Sequence, residues 1–129
     1  MTSDRRIIHM RSEVSWQVEL TVKAGEFDKF RTLTREMMET TKGESGVLIY
    51  ERFVSEDSKV VYVYERYVDS AAAAEHLVAF GKLYGERFNS MVDRRRFTVF
   101  GAPSDELKRI LDGFGATYFG PFEGFSHVQ

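Results

Sequence analysis

The residue types suited to acid–base chemistry gather in one stretch of the chain. Glu65 lies in the run Tyr64-Glu65-Arg66-Tyr67, and His76 follows shortly after it. A neutral imidazole can take or give a proton near pH 7. A carboxylate surrounded by apolar side chains has a raised pKa, which suits a general base. We therefore predict His76, as base or oxyanion partner, and Glu65, as base, to be catalytic.

Both residues also have a purely structural interpretation. His76 is four positions before Phe80, so on a helix the two side chains pack together. Glu65 follows an apolar run, and a buried carboxylate is commonly paired with an arginine. Arg52 on the neighbouring predicted strand is a suitable partner for it. The sequence leaves both alternatives open.

Aromatic side chains make up 14% of the residues and supply further candidates. Trp16 opens a predicted strand and either covers a pocket or fills the core. Tyr64 and Tyr67 face opposite sides of one strand, so at most one lines a given pocket. A phenolic hydroxyl can orient an anion, and we predict Tyr67 to be catalytic and Tyr64 to bind substrate. Phe80 is predicted as a pocket wall and Arg87 as an anion clamp.

Composition excludes several classes of function. Eighteen Lys and Arg against twenty Asp and Glu give a net charge of −2, too balanced for general binding of nucleic acid or an anionic membrane. The run 94–96 is Arg-Arg-Arg, and we predict solvated or ion-paired side chains with Arg95 facing opposite to the other two. The absence of cysteine removes disulfides, thiolate nucleophiles and Cys-ligated zinc. We expect a cytoplasmic protein with no cysteine-ligated metal.

Apolar periodicity predicts the elements that must position these residues. Strict alternation over residues 15–23 is typical of a strand, with Trp16 and Leu20 on one face and Glu19 on the other. The remaining predictions are a helix at 26–41, strands at 47–54 and 59–68, a helix from Asp69 divided near Gly81 and Gly85, a last strand at 94–100, and a helix from Ser104 to Gly113. The order β-α-β-β-α-β is a ferredoxin-like α+β fold with an antiparallel sheet.

We divide the chain into a flexible N-terminal arm at 1–13, the ferredoxin-like domain at 14–101, and a C-terminal helix with an aromatic tail at 102–129. In the predicted hairpin both strand faces carry apolar side chains, such as Tyr62 on one side and Val63 on the other. Two helices cover only one face of such a sheet. A second copy is the simplest cover for the other face, and it predicts a homodimer that forms an α/β barrel.

Several motifs, in order, resemble those of a known family. They are Gly46-Val47-Leu48-Ile49-Tyr50, then Tyr64-Glu65-Arg66-Tyr67, then Asp69, Ala72 and His76-Leu77. Over residues 16–100 the chain resembles the antibiotic biosynthesis monooxygenase-like group of dimeric α/β barrel proteins. Tyr67 stands where Trp is commonest in that family. A second histidine often found after His76-Leu77 is missing, which removes the axial ligand that haem degradation needs.

The resemblance implies a homodimer that oxidises small molecules with O2 and without metal or flavin. We predict a cofactor-independent monooxygenase acting on a small aromatic, quinol or polyketide-type substrate. The alternative is a non-catalytic small-ligand-binding dimer, or a non-oxidative enzyme of the same fold. A deep apolar pocket where His76 and a tyrosyl hydroxyl converge would favour the monooxygenase. A cavity filled by Phe80, Phe88 and Phe100 would favour the alternative.

Overall fold

The computed structural model describes residues 12–127, and within this range the chain forms five strands and four helices. In chain order they are β1 (Val14–Val22), α1 (Phe27–Thr41), β2 (Val47–Val54), β3 (Val60–Tyr67), α2 (Ser70–Leu83), α3 (Gly85–Met91), β4 (Val92–Gly101), α4 (Asp105–Asp112) and β5 (Thr117–Phe119). The predicted ferredoxin-like α+β fold is confirmed. Of the predicted arm, positions 1–11 lie outside the described residues, while Glu13 is buried and accepts a hydrogen bond from Arg66.

One mixed sheet organises the molecule, with strand order β2-β3-β1-β4-β5. All pairs are antiparallel except β4 with β5. Trp16, Val18 and Leu20 of β1 are buried on the face that carries the helices, as their alternation predicts. We call this helix-covered side of the sheet the inner face. The core lies between it and apolar residues of the helices, among them Leu33 and Leu77.

Local sequence explains where the second helical segment begins and divides. The side chain of Asp69 caps α2 by accepting a hydrogen bond from the backbone N–H of Ala72 at 2.9 Å. The division predicted near Gly81 and Gly85 falls at Tyr84, directly before Gly85, while Gly81 stays inside α2. The cap and the division together set how His76, in the middle of α2, meets the sheet.

A close backbone approach holds the 43–46 connector against α2. A Cβ atom built at Gly46 would lie 2.5 Å from the Cβ atom of Ala72, closer than side chains tolerate. Only glycine therefore lets the start of β2 pass so near the helix. This approach brings Glu44 of the connector within reach of His76 on α2.

The predicted last strand at 94–100 is not the last strand. β5 follows it and pairs in parallel with β4, Thr98 being opposite Thr117. A strand of three residues is too short to show a periodic pattern in the sequence. It forms because it pairs with the edge of β4. Leu107 and Leu111 of α4 are fully buried in the same core as the rest of the domain. The C-terminal segment therefore completes this core.

The sheet surface opposite the helices, the outer face, carries exposed aromatic side chains. Phe53, Tyr62 and Phe100 are 57%, 43% and 37% exposed. Polar groups are interspersed with them, and the Tyr62 hydroxyl donates a hydrogen bond to Glu19 at 2.8 Å. The hairpin therefore carries apolar side chains on both faces, as predicted, although the outer face also carries polar groups.

Candidate active site

Glu65 is the centre of a buried polar cluster on the inner face. Its Oε1 atom accepts hydrogen bonds from Trp16 Nε1 at 2.9 Å and from the Tyr67 hydroxyl at 2.5 Å, and its Oε2 atom accepts one from Arg52 Nη2 at 2.5 Å. Strand register creates this cluster, because Trp16 of β1 lies directly opposite Glu65 of β3. Glu65 and Arg52 thus form the ion pair that the structural interpretation of the sequence predicted.

The electrostatics of Glu65 correct the prediction of a raised pKa. Burial alone opposes ionisation, but the positive charge of Arg52, the nearby His76 and the hydrogen bonds outweigh it, so the pKa of Glu65 lies below its usual value. Glu65 is therefore ionised at neutral pH, and both of its oxygens already accept hydrogen bonds. It is an anchor for its neighbours rather than a free base.

His76 is buried between two carboxylates. Its Nδ1 atom lies 3.0 Å from Oε1 of Glu44, and its Nε2 atom lies 3.8 Å from Oε1 of Glu65. An ionised carboxylate can only accept a hydrogen bond, so we assign Nδ1 as the donor to Glu44. This is the arrangement in which a carboxylate orients a histidine base. Glu44 was missed by sequence reasoning, because nothing in the connector's sequence indicates that it reaches α2.

The two tyrosines near His76 are hydrogen-bond donors rather than bases. Burial, followed by the charge of Glu65, raises the pKa of Tyr67 well above its usual value. Burial also raises the pKa of Tyr50 to about 12. The Tyr67 hydroxyl is already committed to Glu65, and Tyr67 does not line the cavity described next. Tyr67 thus holds Glu65 in place.

A small cavity of about 40 Å³, half-open to the surface, adjoins the cluster. It is lined by Trp16, Val18, Arg52, Val63, Glu65, His76, Leu77, Phe80, Phe88, Arg94, Phe97 and Phe114. Four predicted site residues, Trp16, Glu65, His76 and Phe80, thus meet at one place. The volume is close to the roughly 30 Å³ share of one water molecule. Phe80 and Phe88 are walls of this cavity, whereas Phe100 lies on the outer face.

Two predicted site residues lie elsewhere. Tyr64 pairs with Gln17 on the outer face, because it is one residue from Glu65 and strand side chains alternate. Arg87 lies on the protein surface, where its guanidinium forms a two-pronged ion pair with Glu36 at 3.2 and 2.6 Å. Neither side chain lines the cavity, so in this arrangement neither contacts a molecule bound there.

Arg94 does line the cavity, and sequence reasoning missed it. Glu19 pairs with Arg96, but the next residue, Leu20, pairs with Arg94, so Arg95 is an extra residue in a β-bulge. The prediction that Arg94 and Arg96 share a face is therefore wrong. The bulge turns Arg94 to the inner face, with its guanidinium carbon 5.1 Å from the Phe88 ring centroid and 4.5 Å from that of Phe114.

Other parts of the described chain offer less chemistry. An open groove of about 850 Å³ runs between α2 and α4, with walls such as Ala74, Val78 and Ile110, and it contains none of the Glu65 cluster. Residues 12–127 include no group of three or more His, Asp or Glu side chains placed to hold a metal ion. None of the helices in that range has the length and apolar character needed to cross a membrane.

Comparison with solved structures supports the fold. The chain is similar to MupZ from Pseudomonas fluorescens, with 21% identity, coverage of 90% of this chain and 95% of that one, and a TM-score of 0.80. A mutant of SnoaB, a cofactor-independent oxygenase from Streptomyces nogalater, is 15% identical over 72% and 95% of the chains, with a TM-score of 0.61. A putative antibiotic biosynthesis monooxygenase from Bacteroides thetaiotaomicron is 20% identical over 73% and 90%, with a TM-score of 0.60.

Sequence comparison gives the family. No curated protein sequence matches the chain. The profile of the family described as antibiotic biosynthesis monooxygenase matches residues 14–79, just over half of the chain. The match includes β1, the 43–46 connector, β3 and most of α2, and so contains Trp16, Glu44, Glu65 and His76, but it ends before Arg94. The chain therefore belongs to the antibiotic biosynthesis monooxygenase family.

Proposed function

We propose that this protein is a cofactor-independent monooxygenase that oxidises a small aromatic, quinol or polyketide-type substrate with O2. The observation that carries the proposal is the Glu44–His76 pair, in which a carboxylate holds the imidazole of a residue that lines the cavity. Family membership supports the same chemistry, as does the similarity to SnoaB, itself a cofactor-independent oxygenase.

The chemistry requires the protein to make the substrate electron-rich and to keep water out. The substrate loses a proton to His76 Nε2, and the resulting anion donates electrons to O2. In an anthrone, one oxygen atom enters at the activated CH2 group, which becomes a carbonyl, and the other leaves as water with the two hydrogens. In a hydroquinone, one oxygen atom enters a ring C–H bond and the other leaves as water with two hydrogens, which gives a hydroxyquinone. The imidazolium formed meanwhile lies between the carboxylates of Glu44 and Glu65, which stabilise it.

A ring must enlarge the cavity in order to bind. About 40 Å³ is well below the ~150 Å³ of an apolar cavity that holds benzene. Phe114 lies on the turn after α4 and stacks on Phe97 with 5.6 Å between centroids and an interplanar angle of 3°. We propose that the substrate ring takes the place of Phe114 against Phe97. The variant Phe114→Ala is expected to bind small aromatic ligands more tightly than the wild type, and equal or weaker binding would argue against this route.

We also propose a cytoplasmic homodimer in which two outer faces pack together. Phe53, Tyr62 and Phe100 supply the exposed aromatic surface, and the family resemblance implies this arrangement. Sedimentation at micromolar concentration is expected to show a dimer, and Phe53→Glu is expected to shift it to the monomer. A wild-type protein that sediments as a single subunit would refute this proposal.

Oxygen uptake with a panel of hydroquinones and anthrones tests the monooxygenase proposal. Removal of a general base typically lowers the rate 10²–10⁴-fold, so His76→Gln is expected to lose at least 100-fold. Glu44→Gln is expected to lose less, because it removes the orienting charge and leaves the imidazole. The control is Glu75→Gln, next to His76 on α2 but exposed, which is expected to match the wild type. No consumption with any substrate, or full activity of His76→Gln, would refute the proposal.

The small cavity favours a second candidate, a small-ligand-binding protein or a non-oxidative enzyme. In that case the Glu65 cluster is a structural network, and the cavity accepts a small molecule without oxidising it. Ligand binding with no oxygen uptake across the panel would support this alternative. Oxygen uptake that depends on His76 would exclude it.

A further inference from the structure

We infer that the molecule bound at this cavity is an aromatic carboxylate, and that Arg94 binds its carboxylate group. The inference deepens the proposed function by naming a class of substrate, and it rests on that proposal only for the choice of site. It follows from three features of the described residues: the position of Arg94, the charges around the cavity, and the shape of the cavity walls.

Arg94 is a half-buried cation that no carboxylate neutralises within residues 12–127. Its one hydrogen bond there joins Nη1 to the Asn89 Oδ1 atom at 3.4 Å, which is long for a charged donor. Arg52 and Arg66 are also half-buried, but unlike Arg94 each has a carboxylate oxygen 2.5 Å from its guanidinium. Burial lowers the pKa of Arg94, because the charged guanidinium has lost part of its hydration. A desolvated guanidinium with free donors favours an anion from outside the chain.

The charges that line the cavity are unbalanced. Arg52 and Arg94 contribute two positive charges, and Glu65 contributes one negative charge. The carboxylate of Glu65 is already used by Arg52, Trp16 and Tyr67. In addition, Nη1 of Arg52 is buried without a hydrogen-bond acceptor in the described structure. One ligand anion would balance the charge and supply acceptors for such donors.

The walls around Arg94 favour a planar ligand. The guanidinium lies near the rings of Phe88 and Phe114, and Phe114 is parallel to Phe97. A ring in the place of Phe114 would keep the stacking on Phe97. A carboxylate on that ring would then lie beside Arg94 and accept two parallel hydrogen bonds from it. The β-bulge at Arg95 makes this possible, since it turns Arg94 to the inner face.

Binding measurements on matched acids and amides test the inference independently of oxidation. The probes are benzoate, salicylate and 1-hydroxy-2-naphthoate, each compared with its neutral amide by titration calorimetry. Trp16 is the only tryptophan in the chain, so its indole N–H signal in a ¹H–¹⁵N spectrum reports whether the ligand reaches the cavity. We expect at least one acid to bind tenfold or more tightly than its amide and to shift that signal.

Variants of neighbouring arginines identify the residue responsible. Arg94→Gln is expected to weaken binding of the acid about tenfold and to leave binding of the amide unchanged. Arg96→Gln is the matched control, because it removes the same charge from the outer face, and it is expected to change neither. A thermal melt of each variant checks that it is folded. Equal affinity of acid and amide, no shift of the Trp16 signal by any acid, or an equal loss in both arginine variants would overturn the inference.

Failure of this inference differs from failure of the proposed function. Tight, Arg94-dependent binding of an acid, with no oxygen uptake from any hydroquinone or anthrone of the panel, supports the anion site and refutes the monooxygenase. Oxygen uptake that depends on His76, in a protein that binds acids and their amides equally tightly, supports the monooxygenase and refutes the anion site.

Discussion

The substitution Arg52→Met would remove the charge that neutralises buried Glu65. The side chain of Glu65 is 6% exposed, so the carboxylate cannot recover its hydration when Arg52 is lost. Removal of one partner from a buried ion pair costs about 3–5 kcal/mol of the free energy of unfolding. For a chain of 129 residues this corresponds to a decrease in Tm of roughly 10–20 °C. Methionine also lacks the guanidinium, whose carbon lies 3.5 Å from the centroid of the Tyr50 ring, so loss of this cation–π contact adds to the electrostatic loss.

The effect has a definite pH dependence. In the wild type the pKa of Glu65 is lower in the folded state than in the unfolded state, where it is about 4.3. Ionised Glu65 therefore stabilises the fold at pH values above about 4.3. This stability is lost as the pH falls through the folded-state pKa. Without Arg52, burial dominates and raises the pKa of Glu65 instead. Protonation then favours the folded variant as the pH falls. The stability gap between wild type and Arg52→Met is expected to narrow from pH 7 to pH 4.

Urea unfolding at several pH values measures this gap. The double variant Arg52→Met with Glu65→Gln is expected to recover much of the loss, because it leaves no uncompensated charge. The matched control is Arg87→Met, which breaks the exposed pair with Glu36 and is expected to have little effect. If Arg52→Met were as mild as Arg87→Met, or if its deficit grew on acidification, the assignment of Glu65 as a buried, charge-balanced anchor would be incorrect.

Two further predictions concern the connector and helix that position His76. Gly46→Ala is expected to destabilise the protein by more than about 1 kcal/mol in urea unfolding, because the new methyl group meets Ala72. Gly81→Ala has open space inside α2 and is expected to stabilise the protein by up to about 1 kcal/mol. A Gly46→Ala variant more stable than Gly81→Ala would contradict the close approach of β2 to α2. Asp69→Ala is expected to lower the free energy of unfolding by about 1 kcal/mol through loss of the α2 cap, and Asp69→Asn is expected to retain most of that stability.

The fold was accessible from the sequence because its signals are local. Alternation in β1 and β3, helical spacing in α1, and the capping residue Asp69 each act within a few positions. The predicted bounds of β2 match the observed Val47–Val54. β5 was not accessible, because its three residues form a strand only through pairing with β4.

The candidate site was only partly accessible. Strand parity places Trp16 and Glu65 on one face, and the pairing of Glu65 with Arg52 follows from the need to neutralise a buried charge. The sign of the pKa shift of Glu65 did not follow, because it depends on how closely the opposing charge and the hydrogen-bond donors approach.

The sequence by itself determined the order of elements from β1 to α4, the helix-covered face of the sheet and the stretch that carries His76. Only the tertiary structure decided that Glu44 orients His76, because that contact depends on the passage of Gly46 beside α2. Only the tertiary structure brought Arg94 into the cavity, because one extra residue in a strand pair reverses the direction of a side chain. Periodicity describes a single strand, whereas a bulge is a property of two strands together.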